Sequence, residues 1–373
     1  MLKKEPADRR LSWVRKIHDL DGARAGVTSA TRLRTIRSAA ERLGDALRTG
    51  PRVVSVRTFP LTTLLYPTKY AFSGAALSPA PYVHMVHRCL FLQVMAEGEV
   101  KNVLFNPTDY VASRQTPYFK KLIDRYGEFV SYKLLARSFG QVEEHLAKLG
   151  VMPGDIDVIA FDHFHTQDLR PLLGTRAGLA ARFPNAFLLA PRCEWADWDD
   201  VHPFQAAWFI ADGKKDVPDQ RVVLTDDDLA LGDGCLLLRT PGHTSGNQTL
   251  FVHAEQGVFG CSENGTAADN WSPSASRIAG LRGFAHHQML DVVLNANTPE
   301  MGVEQYTSMV LERSLVDRVA EAPSFVQMFP SSEITPSFLA PGIRPTWSFG
   351  ERTSGTVQSQ RQSVQAAPAR AQA

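Results

Sequence analysis

Three short stretches of the sequence carry side chains able to hold a metal ion. In "DHFHTQD" (162–168), His163 and His165 stand two residues apart. The residues before them, "DIDVIAF" (155–161), are apolar and β-branched, and read as a short buried strand. On a loop at the end of such a strand the two imidazoles point the same way, because side chains alternate with a period of two. Two imidazoles on one side are half of a tetrahedral zinc site. "LLLRTPGHTSGNQTLFV" (236–252) brings His243 to a second strand end, and "GVFGCSENG" (257–265) brings Glu263 to a third. An isolated H-x-H is a weak signal; three strand ends, each delivering a candidate ligand, is a much stronger one.

The elements that must position these residues are legible as pattern. Leu33, Ile36, Ala40, Leu43 and Leu47 recur at helical spacing and predict a helix over 29–48, ended by Gly50-Pro51. Strands are expected at 52–59, 86–95 and 100–110, the last breaking at Asn106-Pro107. The stretch 64–82 between the first two is too rich in Pro, Gly and Ser for a regular element. "SFGQVEEHLAKLG" (138–150) reads as a helix with a Ser138/Gln141 capping box and an apolar face of Val142, Leu146 and Leu149. Further strands fall at 186–190, 235–240, 248–254, 257–261 and 324–329, and Thr298-Pro299 opens a helix to about 320. Helices alternating with buried strands imply a layered α/β fold. In such folds ligands sit beyond the carboxyl ends of strands, where His163 and His165 lie.

Composition narrows the class. The chain has 373 residues, 44% hydrophobic, with 40 basic against 39 acidic side chains. Nothing global suggests a nucleic-acid partner. The first fifty residues hold twelve Lys/Arg against six Asp/Glu and read as a solvated basic helical extension. Its Leu33–Leu47 stripe must cover either this domain or a second subunit, so a homodimer stays open. The main domain then spans 51–349. The tail 350–373 is poor in bulky apolar residues and is expected to be disordered. Cys89, Cys193, Cys235 and Cys261 form no C-x-x-C pair, which fits a reducing cytoplasm. The N-terminus lacks a secretory h-region, and no apolar run is long enough to span a bilayer.

Taken together, the motifs resemble the metallo-β-lactamase-fold superfamily over roughly 52–335. The resemblance rests on "LGVMPGDIDVIAFDHFHTQD", on "RFPNAFLLAPRCEWADW" with its later Glu and Trp, on "TPGHTSGN", and on the strand before "SEN". It implies an αββα four-layer sandwich and a first metal site made by His163, His165 and His243. It also exposes departures. The family's next pair, Asp then His, is here Gln167 then Asp168; its bridging aspartate falls on Glu263; its last histidine should lie in "MFPSSEITP", which offers only Ser332 and Glu333. Asp168 and Glu263 are the expected substitute ligands for a second, harder ion such as Mn²⁺ or Fe²⁺. His286-His287 are alternatives, better read as a helix surface.

Such a site implies a metal-dependent hydrolase. Three imidazoles leave Zn²⁺ an open position, where a bound water is acidic enough to attack an ester, lactone or similar bond of a small molecule. Asp168 is the expected proton acceptor in place of Gln167, with Glu263 next. Trp195, Trp198, Phe204 and Trp208 in "CEWADWDDVHPFQAAWF" (193–209) line a substrate wall or pack a helical insertion; Cys261 is expected to be simply buried. A non-catalytic binding protein and an iron-dependent redox enzyme are the alternatives.

Overall fold

The structure is a computed structural model and describes residues 5–131 and 136–359. Two large sheets form its centre. The first joins β1 (Pro6–Asp8), β2 (Leu11–Ile17), β9 (Asp228–Leu231), β10 (Cys235–Arg239), β11 (Gln248–Ala254), β12 (Gly257–Ser262) and β15 (Met328–Pro330), in that order. The second runs β17 (Thr353–Gly355), β3 (Ser55–Pro67), β4 (Tyr82–Ala96), β5 (Glu99–Phe105), β6 (Val158–Ala160), β7 (Phe187–Pro191) and β8 (Val222–Thr225). β16 (Ser332–Thr335) pairs with the first half of β4, and β13 (Arg318–Val319) with β14 (Ala322–Val326) makes a separate hairpin. β5 through β8 are parallel, so their carboxyl ends, and the loops after them, share one edge.

Period-two alternation explains the layering. In β4, Leu90, Leu92 and Val94 point inward to meet Cys235, Leu237, Leu250 and Val252 of the other sheet. The alternate residues Cys89 and Phe91 point outward, under Val142 and Leu146 of a helix. On the far side, Leu236, Leu238 and Phe251 pack beneath two long helices. Strands covered on both faces read as continuous apolar runs, as "CLLL" and "LFV" do. The helices named here are α1 (Ser29–Thr49), α2 (Pro117–Tyr126), α3 (Val142–Lys148), α4 (Arg192–Asp197), α5 (Leu281–Gln288) and α6 (Gly302–Leu315). Helix, sheet, sheet, helix is the αββα sandwich.

Several expectations change. The first fifty residues are not a detached extension. β2 pairs with β9, and Trp13 and Val14 sit between the sheets; Ile36, Ala40, Leu43 and Leu47 of α1 pack with Met309 and Leu315 of α6. The pattern of β2, "LSWVRKI", was masked by its charges. β3 runs on to Pro67 through a register shift between Pro60 and Thr62, so part of 64–82 is strand. Ser138 does not cap α3: Gln141 is the N-cap and makes no side-chain cap hydrogen bond, while Ser138 bridges to Thr62. The helix after Pro299 ends at Leu315, where the hairpin takes over, and the 324–329 strand is broken at Gln327 into β14 and β15.

The tail also differs from expectation up to residue 359; its remainder, 360–373, lies outside the described residues. β17 pairs with β3, and the Gln358 backbone N–H donates to Gln93 Oε1 at 2.8 Å. Arg352 sits against the rings of Phe259, Phe329 and Phe349 at 5.4, 5.9 and 5.1 Å and donates to Gln327 Oε1. Burial lowers its pKa to about 10, so it stays cationic. Composition could not reveal one arginine anchoring a polar segment. Arg352→Ala is therefore expected to cost about 2 kcal/mol, read as a shift in the denaturation midpoint. An unchanged midpoint would show that the strap adds nothing.

Candidate metal centre

Loops from four strand ends meet at one edge. β6 leads to Asp162, His163 and His165; β10 leads to His243; β12 leads to Glu263; the crossing from β15 to β16 places Ser331 and Ser332. The ligand atoms of His163, His165 and His243 all lie within 4.8 Å of one another. His165 Nδ1 is 3.2 Å from His243 Nε2.

Neighbouring groups decide which nitrogen each ring offers. His163 Nδ1 donates to Asp162 Oδ1 at 2.7 Å, which leaves Nε2 free. His165 Nε2 donates to Gln205 Oε1 at 2.8 Å, which leaves Nδ1 free. The amide of Gln205 is fixed by its other end: Nε2 donates to Thr298 Oγ1, whose hydroxyl is already donated to the His243 carbonyl. Burial pushes the pKa of both His165 and His243 well down, so both are neutral and keep a lone pair. For Asp162, burial raises the pKa, but His163 and the Ser331 hydroxyl outweigh it and hold the carboxylate ionised.

These donors fit a tetrahedral ion. Two ligands at about 2.0–2.1 Å from zinc stand roughly 3.4 Å apart, close to the His165–His243 separation. Asp162 and Gln205 are the outer partners that fix a metal-binding ring. Asn295 is set differently. Its Nδ2 donates to the Glu263 carbonyl at 2.9 Å and faces His243 Nδ1 at 3.1 Å, while its Oδ1 accepts from Tyr66. In this arrangement His243 carries its proton on Nε2. Binding an ion through Nε2 requires Asn295 to turn its amide and accept from Nδ1 instead.

Glu194 is the strut between the two histidine loops, a role that no spacing in the sequence signals. Its carboxylate accepts the Phe164 N–H at 2.9 Å and the Gly246 N–H at 3.0 Å. A Cβ on Gly246 would stand 2.3 Å from Glu194 Cβ, so only glycine lets the strut approach. Burial raises the Glu194 pKa, and these backbone donors oppose that.

The other expected ligands separate. Glu263 lines the same cavity, outside the three-histidine cluster; it accepts the Ser332 N–H at 2.8 Å, and burial, then Asp162, pushes its pKa well up. Asp168 does not take the place of the lost aspartate. Arg170 holds both its oxygens, at 2.9 and 2.6 Å, and it lines a different cavity, with Thr175 and Lys215. The reason is local: Thr166 adopts φ +64° and donates to the Trp208 carbonyl, and the turn leaves Gln167 facing the site. Gln167 Nε2 donates to the His165 carbonyl, and its Oε1 is buried without a partner. His286 and His287 are exposed on α5, the helix-surface reading. Trp198 is core, Phe204 is 64% exposed, and Trp208 walls the cavity beside His165. Cys261 is buried between the sheets.

His87 is a site residue that the sequence reading missed. It lies on β4, lines the cavity, and engages Ser332 Oγ at 3.0 Å and Thr108 Oγ1 at 2.8 Å. Glu333 instead makes a buried ion pair with Arg88. Burial lowers the His87 pKa to about 4, from 6.5. The unfolded chain therefore binds this proton first as pH falls, and stability is lost between about 6.5 and 4. The loss approaches roughly 3 kcal/mol. Denaturation at pH 7.5 and 4.5 should show a smaller pH dependence for His87→Gln than for the parent; equal dependence would place the imidazole in water.

No family model matches the sequence, and neither does any curated protein. Solved structures of similar shape include a quorum-quenching N-acyl homoserine lactone lactonase, 18% identical, with a TM-score of 0.42 over 65% of this chain and 88% of that one. Another is a probable metal-dependent hydrolase from Staphylococcus aureus, 13% identical, with a TM-score of 0.45 over 68% and 83%. A third is AbOPH, a hydrolase in the beta-lactamase superfamily, 12% identical, with a TM-score of 0.46 over 83% and 99%. The chain's own architecture is more telling. Two facing sheets between helices, with three histidines converging from two strand ends at one edge, give it the αββα fold of the metallo-β-lactamase superfamily.

Proposed function

We propose that the chain is a hydrolase of an ester- or lactone-type bond in a small molecule, with one divalent ion held by His163, His165 and His243. The convergence of three imidazoles inside a cavity carries this reading. A cluster of three nitrogen donors with no carboxylate in it favours zinc over Mn²⁺ or Fe²⁺. With Asp168 bound to Arg170, a second ion lacks its expected ligand. Zinc bound there would polarise the attacked carbonyl and make water a nucleophile near neutrality.

The chain's own groups do the rest. Asp162 and Gln205 fix the imidazoles, and Glu194 fixes the loops that bear them. Glu263 is the one carboxylate among the described residues lining the cavity, and is the group to hold or deliver a proton at the leaving oxygen. The unpartnered Gln167 Oε1 accepts a hydrogen bond from water or from a substrate N–H. All four cysteines are unpaired, which supports a reducing compartment such as the cytoplasm. Among the described residues no helix is long and apolar enough to cross a membrane.

One observation favours a non-catalytic reading. Gln167, which cannot accept a proton near neutrality, faces the cavity, while Asp168 is turned away onto Arg170. Metal analysis of protein expressed without added zinc separates the two, followed by turnover of a panel of esters and lactones before and after chelation. The hydrolase reading expects about one ion per chain, and loss of both ion and turnover on chelation. Folded, ion-free protein that stays inactive when zinc is restored would uphold the binding reading.

A further inference from the structure

We propose that the site takes substrates with an unbranched apolar tail, and that the tail lies against helix α2. The inference rests on the hydrolase reading and adds the substrate's shape. Phe119, Leu122 and Ile123 of α2 follow the i, i+3, i+4 spacing of a core-facing stripe. Among the described residues none of the three belongs to a hydrophobic core cluster, although Leu122 is only 8% exposed. All three line the cavity that holds the histidines, where Leu64, Leu65, Tyr66, Met85 and Trp208 add to the apolar lining among the described residues.

The helix is nonetheless firmly docked. The Tyr118 N–H donates to the Ala207 carbonyl, its hydroxyl donates to the Leu65 carbonyl at 3.1 Å, and its ring packs on Trp208 at 4.5 Å. So α2 is held in place by Tyr118 while its neighbours Phe119, Leu122 and Ile123 face a cavity. An apolar stripe fixed over a reactive centre is complementary to an alkyl chain whose polar, cleavable end reaches His163, Gln167 and Glu263.

Binding and turnover are to be measured separately. The binding probes are straight-chain primary alcohols from butanol to octanol, titrated by calorimetry into the metal-loaded protein. The turnover probes are p-nitrophenyl esters from acetate to octanoate. Each added methylene should tighten alcohol binding by up to about fourfold, the worth of the ~0.8 kcal/mol gained on burying one CH₂. The ester kcat/KM should rise in parallel, mainly through KM. Leu122→Trp fills the channel and should lower the octanoate-to-acetate ratio of kcat/KM at least tenfold. If that variant does not fold, the alcohol series on the parent decides alone. Alcohol affinity independent of length overturns the tail site, whether or not esters are cleaved. Length-dependent alcohol binding with no ester turned over upholds the tail site and refutes the hydrolase.

Discussion

Replacing His163 by alanine is expected to abolish binding of a divalent ion and lower ester turnover by about 10³-fold, since the several kcal/mol of carbonyl polarisation that an ion held there would supply go with it. His163 is the ring with the best-defined free nitrogen: Asp162 Oδ1 takes the Nδ1 proton at 2.7 Å and the backbone N–H at 2.9 Å, so Nε2 faces the site whatever the other rings do. His165 and His243 can satisfy each other across 3.2 Å without an ion. Removing His163 leaves only that pair, whose mutual hydrogen bond then competes with an ion that has lost its third ligand. His243→Ala should have the same outcome, because it removes another of the three imidazoles and leaves His165 Nδ1 without the ring it faces at 3.2 Å. Asp162→Asn is the graded control. It keeps the ring but weakens its orientation, and outer partners of this kind are worth roughly 10–100-fold in metal affinity. Ion content by mass spectrometry and zinc affinity by calorimetry check all three. Should His163→Ala and His243→Ala both retain the parent's ion content, the three imidazoles are not the binding site.

The sequence made the histidines legible because strand ends announce themselves. "DIDVIAF", "CLLLRT" and "GVFGC" are apolar runs that stop at polar residues, and a residue at such a stop must lie at the sheet edge. What lay beyond the stop was less legible. Whether Asp168 or Gln167 faces the site depends on the left-handed backbone of Thr166 and on Arg170, two residues after Asp168, and neither leaves a periodic trace. Glu194 reaches the Phe164 N–H from 30 residues away and Gln205 reaches His165 from 40, so local pattern does not show what either one holds. His87 was hidden for another reason: in "VHMVHRCLF" it reads as one polar position of an alternating strand, and its neighbours Thr108 and Ser332 arrive from the loop after β5 and from β16. The stripe on α2 was visible in "PYFKKLIDRY", but its spacing alone reads as an ordinary core face; only the folded chain shows that it meets a cavity. The N-terminal strands are hidden by composition, since a basic segment reads as solvated although Leu11 and Trp13 alternate into the core.

Glu263→Gln is expected to cut turnover by about 10²-fold or more, the usual worth of a positioned acid or base, while Asp168→Asn leaves turnover nearly unchanged. The contrast follows from where the two carboxylates point. Asp168 is held by Arg170 against a separate cavity, so its loss costs local stability of order 1 kcal/mol at most for a part-exposed pair. Glu263 lies among the cavity residues, held by the Ser332 N–H. Burial, then the Asp162 charge, pushes its pKa well above the ordinary carboxylate range, which keeps it protonated and able to give a proton to a leaving oxygen. A bound cation pulls the other way, so the direction of the pH limb reports which effect wins. If Glu263 acts as the acid, kcat falls as pH rises through its raised pKa; if the ion has lowered that pKa and it acts as a base, kcat falls as pH drops. Glutamine is close in shape and can do neither, so the variant should lose that limb along with its rate. A kcat profile from pH 5 to 9 for the parent and both variants, with ion content measured alongside, reads the outcome. A full-rate Glu263→Gln with an intact pH limb would remove this residue from the chemistry. A hundredfold loss in Asp168→Asn, with the ion retained, would mean that the loop turns Asp168 inward when substrate binds.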